Sequence, residues 1–365
     1  MRKLNDLITK IILIFVSIIF SLCVGEVVAR FIIKIPPYTY PKIFEEHPIR
    51  GFALKPNSGG IHSQPEFSVY YKINSEGFRD DERLNWYRNK LFTIIGLGDS
   101  FTFGNGVKLE DTFLSILERR INRDSLLVDI IKTGVMAYGT RDELDVLKTI
   151  EEKYLPNVVI SFFYSNDIGE NYKKFMVKEG DLIQYPSRFD RIKVFMAHHS
   201  RLYNLTTLAK KNNYVFKKWS NVLHFFRRFG NGKTYQPGPL SLDDMIKHTA
   251  DLLLETKERA SLLGSQYFIV IIPDKGEVYG ENNDGYYRNR QIAVECQKRD
   301  IKVLDLLPYF REEVENNPKE HLYFERDPHF TPLGHRLVGK VLYRYLMKNS
   351  SQLGADLIFP DNRGL

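Results

Sequence analysis

The sequence LFTIIGLGDSF, from Leu91 to Phe101, is a short apolar run that leads into Gly98-Asp99-Ser100. Four further apolar runs follow it, and stretches with helical periodicity separate them. They are LLVDII at 126–131, NVVISFF at 157–163, YFIVIIP at 267–273 and IKVLDLL at 301–307. Continuous apolar strands that alternate with helices are typical of a parallel sheet with helices on both faces. The sequence therefore predicts a three-layer α/β/α sandwich with a parallel sheet.

Capping residues predict three helices, over about 141–154, 242–263 and 332–348. The capping pairs are Thr140 with Glu143, Ser241 with Asp244, and Thr331 with Pro332.

Composition sets the class of protein. The chain has 365 residues, of which 43% are hydrophobic, which suffices for a packed core and excludes wholesale disorder. Cys23 and Cys296 lie far apart, so we expect neither a disulfide framework nor a cysteine-based metal site. His198 and His199 are adjacent and have no carboxylate cluster beside them, so no metal is expected there. No cofactor is predicted.

The N-terminal residues 1–35 contain an apolar stretch long enough to cross a bilayer. Ser21-Leu22-Cys23 is a poor cleavage site, which favours an uncleaved anchor. Arg2, Lys3 and Lys10 precede the stretch and favour a cytoplasmic N-terminus, with the rest of the chain extracytoplasmic, on the periplasmic side. Glu26 and Arg30 lie four residues apart and are expected to neutralise each other.

Two regions differ in composition from the predicted sandwich, which occupies residues 91–365. Residues 36–90 are rich in Pro, Gly and Tyr, and the alternation in FSVYYKI at 67–73 predicts a hairpin in a β-rich collar next to the membrane. A basic insert at about 170–240 carries 14 Lys and Arg against 4 Asp and Glu, a local charge of +10. It suits anionic lipid or acidic glycan as partner, and no nucleic-acid motif accompanies it. The stretch at 213–229 predicts an amphipathic helix.

Candidate catalytic residues occur at both ends of the predicted sandwich. Ser100 follows the first buried strand, where open α/β sheets bind their ligands. Asp327 and His329 lie in a loop before the last helix. A serine hydroxyl needs a base to become a nucleophile, an imidazole suits that task, and a carboxylate orients the imidazole. The three residues therefore form a candidate catalytic triad.

Donors for an oxyanion hole are available at two other strand ends. Asn166 follows the run at 157–163, and the loop 132–140 follows the run at 126–131. An amide NH2 and main-chain N-H groups beside a helix start can both stabilise a developing oxyanion.

The ordered set of Ser100, the 132–140 loop, Asn166 and Asp327/His329 resembles the four blocks of the SGNH (GDSL-like) hydrolase superfamily. INSEGFRDDE, GLGDSFTFGNGV, YGTRDEL, YSNDIGEN and DPHFTPLGHRL are similar to stretches of its membrane-anchored bacterial members. The resemblance implies a flavodoxin-like fold, Ser100 as nucleophile, and acyl esters of lipids or glycans as substrates. It also implies that the N-H groups of Ser100 and of the second-block residue, with Asn166, form the oxyanion hole.

This sequence departs from the family pattern at three positions. The second-block glycine aligns with Ala137, so either Ala137 or Gly139 supplies the second N-H donor; Ala137 can serve unstrained where its φ is negative. Tyr164 stands where a glycine is usual, which narrows or caps the acyl pocket. One residue separates Asp327 from His329, which resembles the acetyltransferase branch that acts on exported polysaccharides.

Three functions therefore remain open. The first is a serine-dependent ester hydrolase acting on a lipid or glycan ester of the cell envelope. The second is an O-acyltransferase that uses the same triad to modify an exported polysaccharide. The third is a catalytically silent envelope protein that binds glycan.

Overall fold

The computed structural model describes residues 2–32, 39–82, 92–123, 128–173, 175–184, 196, 200–203, 240–280 and 284–354. Contacts divide the chain into two compact units. One contains the N-terminal helix and residues 200–203. The other contains the central sheet, its helices and most of the predicted collar.

The strands in chain order are β1 (Phe44–His47), β2 (Gly51–Leu54), β3 (Gly59–Gln64), β4 (Phe67–Lys72), β5 (Phe92–Gly98), β6 (Val128–Lys132), β7 (Val158–Phe163), β8 (Phe175–Lys178), β9 (Asp181–Gln184), β10 (Gln266–Ile271) and β11 (Lys302–Asp305). The helices are α1 (Arg2–Ile32), α2 (Ser100–Phe103), α3 (Phe113–Asn122), α4 (Thr140–Tyr154), α5 (Asp167–Glu170), α6 (Leu242–Leu262), α7 (Lys275–Val278), α8 (Asp284–Lys298), α9 (Leu307–Asn316) and α10 (Pro332–Lys348).

The central sheet has the order β6-β5-β7-β10-β11, and every neighbouring pair is parallel. In chain order this is 2-1-3-4-5, the flavodoxin-like arrangement. The predicted sandwich and parallel sheet are thereby confirmed. β6 lies on one side of β5, and β7 and the later strands lie on the other, so the strand order reverses at β5. The carboxyl end of β5 is therefore a topological switch point, where such sheets form their sites.

Two apolar clusters pack around the central sheet. One joins β5, β6 and β7 to α3 and α10, as in the contacts of Phe92, Leu117 and Val338. The other joins the sheet to α4, α6 and α8. β5 and β7 are buried at every residue, which explains their nearly continuous apolar sequences, whereas the edge strand β11 exposes Lys302 and Asp305.

The predicted collar shares a core with the sheet. Ile43, Phe52 and Tyr71 are buried in the same cluster as Ile95 and Leu97 of β5. Within the collar, β1 pairs with β2, and β3 forms a two-stranded sheet with β4. One apolar core therefore contains residues from both sides of position 90, where the sequence analysis places a boundary.

Two of the three capping predictions are confirmed. Ser241 and Asp244 bond each other reciprocally at the start of α6, and the Thr331 side chain accepts from the N-H of Gly334. The predicted pair Thr140 and Glu143 is wrong by one residue. Gly139 is the N-cap of α4, and its N-H donates to the carboxylate of Asp142 at 3.2 Å.

The N-terminal unit contains an apolar span, Ile8–Phe31, with a mean hydropathy of 2.8. Its 24 residues suffice to cross a hydrocarbon core of about 30 Å. A membrane anchor and a signal sequence both have these properties. In the same unit, Arg30 donates to Glu26 at 2.9 Å, as predicted, and residues 200–202 contact Glu26 as well.

The basic insert begins with a hairpin formed by β8 and β9. Most of the rest of it, including the predicted helix at 213–229, lies outside the described residues.

Candidate active site

Ser100 is the first residue of α2 and directly follows the tight turn at the end of β5. The Asp99 carboxylate accepts the N-H of Phe101 at 2.8 Å and caps the helix. A Cβ added at Gly98 would lie 2.8 Å from Thr102 Cβ, so only glycine fits this turn. The strand, the turn and the cap together present the Ser100 hydroxyl at the carboxyl edge of the sheet.

The structure brings Ser100, His329 and Asp327 together. His329 Nε2 lies 2.7 Å from Ser100 Oγ, and His329 Nδ1 lies 2.5 Å from Asp327 Oδ1. Asp327 Oδ1 also accepts the main-chain N-H of His329 at 3.0 Å. Burial opposes the ionised form of Asp327, but the hydrogen bond and charge of His329 outweigh it, so the pKa of Asp327 is lowered. An ionised carboxylate behind an imidazole that reaches a serine hydroxyl is the arrangement needed for nucleophilic catalysis.

Two charged side chains hold the loop that carries Asp327. Glu66, between β3 and β4, accepts the N-H groups of residues 325, 326 and 327 at 2.6, 2.8 and 3.0 Å. Lys275 donates to the carbonyls of residues 324 and 325 at 2.8 and 2.6 Å. Because both the donors and the acceptors of this loop are bonded, its conformation is fixed without help from a substrate.

The predicted second-block loop runs beside the nucleophile turn, because Thr133 and Val135 donate their N-H groups to the carbonyls of Gly96 and Gly98, each at 3.1 Å. Ala137 has φ +66°, the left-handed region that favours glycine, which fits its alignment with the family's glycine but makes the alanine strained. The N-H of Gly139 is donated to Asp142. Between the two candidates, Ala137 is therefore the one whose N-H bonds no group in the described part of the chain.

Asn166 lies at the start of α5, where its carboxamide hydrogen-bonds the Asp99 side chain and so favours the ionised form of that carboxyl. Its NH2 group also hydrogen-bonds the Glu170 side chain, so an oxyanion would compete with that carboxyl for the second hydrogen. Asp167 and Asn171 fix this loop. Asp167 accepts the N-H of Tyr164 at 2.9 Å, and Asn171 accepts the N-H of Arg141 at 2.9 Å.

Tyr164 contributes to the core beside the nucleophile. Its ring lies 4.4 Å from that of Phe101, and its hydroxyl donates to Asp274 at 3.2 Å. The hydroxyl is therefore directed away from the chemistry and into a structural bond.

Three carboxyl groups are buried beneath the nucleophile, namely those of Asp99, Glu143 and Asp167. Burial raises the pKa of each, and the charge of Asp99 raises the pKa values of Glu143 and Asp167 further. Such a cluster holds protons that isolated carboxyls would release.

Sequence reasoning missed Arg79, which clamps the loop after Ser100. Its guanidinium donates to the carbonyls of Phe103 and Gly104, both at 2.7 Å, and of Val107 at 2.6 Å. The guanidinium lies 4.2 Å from the centre of the Tyr71 ring and 4.8 Å from that of Phe103. Burial lowers the pKa of Arg79 to about 10, so the group stays charged at neutral pH. The stretch INSEGFRDDE, which contains Arg79, carries the family resemblance but contains no pattern that indicates this role.

Other conspicuous histidines lie apart from this arrangement. His335 is buried, accepts the N-H of Phe113 at 3.3 Å and has its pKa lowered to about 3 by burial, which indicates a structural role. His198 and His199 lie outside the described residues. Within the described ranges, no group of His, Cys, Asp and Glu side chains gathers that could hold a metal ion.

Residues 239–356, which include Asp327 and His329, match the family model for "ALGX: SGNH hydrolase-like domain, acetyltransferase AlgX". This match confirms the resemblance to SGNH hydrolases. No curated protein matches the sequence.

Several solved structures are similar to this chain. The lipase/acylhydrolase from Enterococcus faecalis is 14% identical over 70% of this chain and 95% of its own, with a TM-score of 0.39. The psychrotrophic esterase EstA from Pseudoalteromonas sp. is 11% identical over 71% and 98%, with a TM-score of 0.41. A member of the lipolytic protein G-D-S-L family from Veillonella parvula is 13% identical over 68% and 95%, with a TM-score of 0.39.

Proposed function

We propose that this chain, which carries an SGNH hydrolase-like domain, is a membrane-anchored serine esterase that cleaves an acyl ester of a cell-envelope lipid or glycan. The observation that carries the proposal is the contact of Ser100 Oγ with His329 Nε2 at 2.7 Å, backed by Asp327 at 2.5 Å from the other ring nitrogen. These distances are within the reach needed for proton transfer.

In the proposed reaction, Ser100 Oγ attacks the acyl carbonyl while His329 Nε2 takes the hydroxyl proton. The carbonyl oxygen becomes negatively charged, and the N-H groups of Ser100 and Ala137 with the amide of Asn166 are its donors. The bond to the leaving alkoxide then breaks, and the alkoxide takes the proton from His329. Water repeats the attack on the acyl-enzyme, releases the carboxylic acid and restores the serine hydroxyl.

An O-acyltransferase is the second candidate, and a specific observation favours it. The description of the family model that matches residues 239–356 names an acetyltransferase. The transferase would form the same acyl-enzyme and pass the acyl group to a sugar hydroxyl instead of water. The two candidates therefore share every step up to the acceptor.

The apolar helix supports a proposal for the location of the protein. We infer that Ile8–Phe31 is an uncleaved anchor with its N-terminus in the cytoplasm, because basic residues precede it and a good cleavage site is lacking. The sandwich would then act outside the cytoplasm. The basic insert would favour substrates or surfaces with negative charge, namely anionic lipid or acidic glycan.

Acylation of the full chain in detergent tests the proposal. After exposure to 4-nitrophenyl acetate, peptide mass spectrometry should find acetyl on Ser100, and Ser100→Ala should carry none there. Asn166→Ala should lower turnover by about 10² to 10³. Ser165→Ala is the matched control, because Ser165 donates to Asp274 and has no part in the proposed chemistry.

The outcomes separate the candidates. Acetyl that water removes supports the esterase, and acetyl that leaves faster when a glycan is added, with acetylated glycan as product, supports the transferase. A wild-type chain that forms no acyl-enzyme, and that a serine-directed phosphonate does not label, would contradict both and leave the silent glycan-binding protein.

A further inference from the structure

A buried polar chain continues behind His329, on the side away from Ser100. Asn105 Nδ2 lies 3.1 Å from His329 Nδ1, and Asn105 Oδ1 lies 3.1 Å from the hydroxyl of Tyr71. The Tyr71 oxygen accepts the N-H of Gly106 at 2.8 Å and lies 3.2 Å from His62 Nδ1. Asn105, Tyr71 and His62 are each at most 5% exposed, so protein groups must satisfy their hydrogen bonds.

The hydrogen atoms of this series of polar groups cannot all be placed while the Asn105 NH2 group faces His329 and its carbonyl faces Tyr71. A base that accepts from Ser100 needs a lone pair on His329 Nε2, so the ring proton is on Nδ1, where Asp327 accepts it at 2.5 Å. An NH2 group of Asn105 pointing at the same Nδ1 would then bring donor against donor. The two ends of a carboxamide have the same shape, and the surrounding hydrogen bonds decide which is which.

Turning the amide removes the conflict at His329 Nδ1. The Asn105 carbonyl then accepts from His329 Nδ1-H, and the Asn105 NH2 donates to the oxygen of Tyr71. Burial raises the pKa of Tyr71 to about 12, so its hydroxyl keeps a proton, which it donates to His62 Nδ1. His62 can accept because it is neutral: burial lowers its pKa to about 4. The Nδ1 proton of His329, one NH2 hydrogen of Asn105 and the hydroxyl proton of Tyr71 then each face an acceptor. The contact between the side chains of His62 and Asn105 is satisfied when a lone pair of His62 faces the turned NH2 group.

We propose that Asn105 is a positioning residue whose side-chain carbonyl shares the Nδ1 proton of His329 with Asp327, while Tyr71 and His62 hold the amide in that orientation. Two acceptors at Nδ1 keep the ring in one plane and in one tautomer, with the Nε2 lone pair directed at Ser100. When His329 becomes an imidazolium, Nδ1-H keeps both hydrogen-bond acceptors, so the ring keeps its orientation. The catalytic part of this inference rests on the proposed function.

Substitution of Asn105 in the full chain tests the proposal by two readouts. Asn105→Ala should lower kcat for a small acetyl ester by about 10- to 100-fold, with KM little changed, because the base loses its alignment. Asn105→Asp should restore kcat to within about tenfold of wild type, because a carboxyl group presents an acceptor to Nδ1-H in either protonation state. Nitrogen NMR of histidine-labelled protein should find the Nδ1-H tautomer of His329 in wild type and Asn105→Asp, and a mixture in Asn105→Ala.

A matched control is Asn74→Ala. Asn74 is 1% exposed, and its side chain bonds main-chain groups only, those of Glu76, Phe78 and Asp81. Its loss should reduce the folded fraction without changing the His329 tautomer of the molecules that fold. An unchanged tautomer in Asn105→Ala, or an Asn105→Asp variant less active than Asn105→Ala, would overturn the proposal. The tautomer is measured without substrate, so an inactive wild-type chain would contradict the esterase and leave this inference to the NMR result.

Discussion

Glu143 is a residue whose position in the fold sets its chemistry. It lies on α4 with a side chain that is 3% exposed, close to the buried carboxyls of Asp99 and Asp167. Its Oε1 accepts no hydrogen bond from the described part of the chain. Burial, and then the charge of Asp99, raise the pKa of Glu143 well above the ordinary value of 4.5. The native state therefore holds a proton here that the unfolded chain releases near its ordinary pKa.

Glu143→Gln should for this reason stabilise the protein at high pH. A raised native pKa means that wild-type stability is complete below about pH 4.5 and falls as the pH rises toward the native pKa. Glutamine has no proton to lose, so the variant should have the higher Tm at pH 8, by roughly 2 to 4 °C for each kcal/mol gained. Near pH 4 the two should melt together.

The matched control for this prediction is Glu152→Gln, which changes an exposed glutamate on the same helix. Its melting temperature should follow wild type across the same pH range. A Glu143→Gln protein that is less stable than wild type at pH 8 would mean that Glu143 is ionised and bonded in the native state.

Sequence patterns reach some residues of this candidate site and not others. Ser100 and His329 are 229 residues apart, yet each lies next to a recognisable local motif and at a predicted strand or helix end. Asn105 lies in the stretch GLGDSFTFGNGV and Tyr71 in the alternating run at 67–73, but neither pattern predicts a role behind His329. Their importance comes from contacts that form only when β4 packs beside the nucleophile loop, Phe103 to Val107. Spacing along the sequence does not reveal that packing.

Strands of the central sheet are the elements that the sequence predicts best. Buried parallel strands consist of apolar residues throughout, so each run identifies its strand to within a few residues. The start of α4 is harder to predict from the sequence. Its N-cap is Gly139, which has no capping side chain, and Glu143 has the spacing of a capping residue but is buried. The role of the predicted collar is harder still to predict. Its alternating pattern indicates strands, but the pattern does not say that these strands support a catalytic loop.

The loop from Phe103 to Val107 depends on one side chain of the predicted collar. Arg79 donates to three carbonyls of this loop, and its removal would leave buried acceptors without partners. We expect Arg79→Lys to lower kcat for a small acetyl ester by at least about tenfold, because a compact ammonium cannot reproduce the fork of a guanidinium. Circular dichroism and kinetics on the full chain would separate loss of folding from loss of rate.

Arg311→Lys provides the control for this element. Arg311 also donates to a carbonyl, that of Glu277, but this carbonyl is outside the nucleophile loop. Its replacement should leave kcat close to that of wild type. Equal activity in both lysine variants would show that the loop keeps its shape without the arginine fork.

At the scale of the whole molecule, the N-terminal unit links the apolar helix to the basic insert. Glu26 accepts from the hydroxyl of Ser200 at 2.8 Å and from the N-H groups of Arg201 and Leu202 at 2.9 and 3.0 Å. The sequence indicated only the partner four residues away, Arg30. Residues 200–202 are therefore held on the helix near the end of its apolar span. If that span crosses a membrane, this part of the insert lies at the headgroup level.

The last prediction concerns the +10 charge of the insert. Positive charge next to a membrane attracts anionic headgroups, and salt screens this attraction beyond about 8 to 10 Å. The test variant replaces six basic residues, outside the described ranges, by Gln: Lys210, Lys211, Lys217, Lys218, Arg227 and Arg228. In the full chain reconstituted into vesicles, anionic lipid should slow chymotrypsin cleavage of the insert at low salt in wild type, and less so in the variant. Hydrolysis of a small neutral ester should stay within a fewfold of wild type, because the proposed chemistry uses none of these residues. Equal losses of lipid protection and of hydrolysis would instead make the insert part of the catalytic machinery.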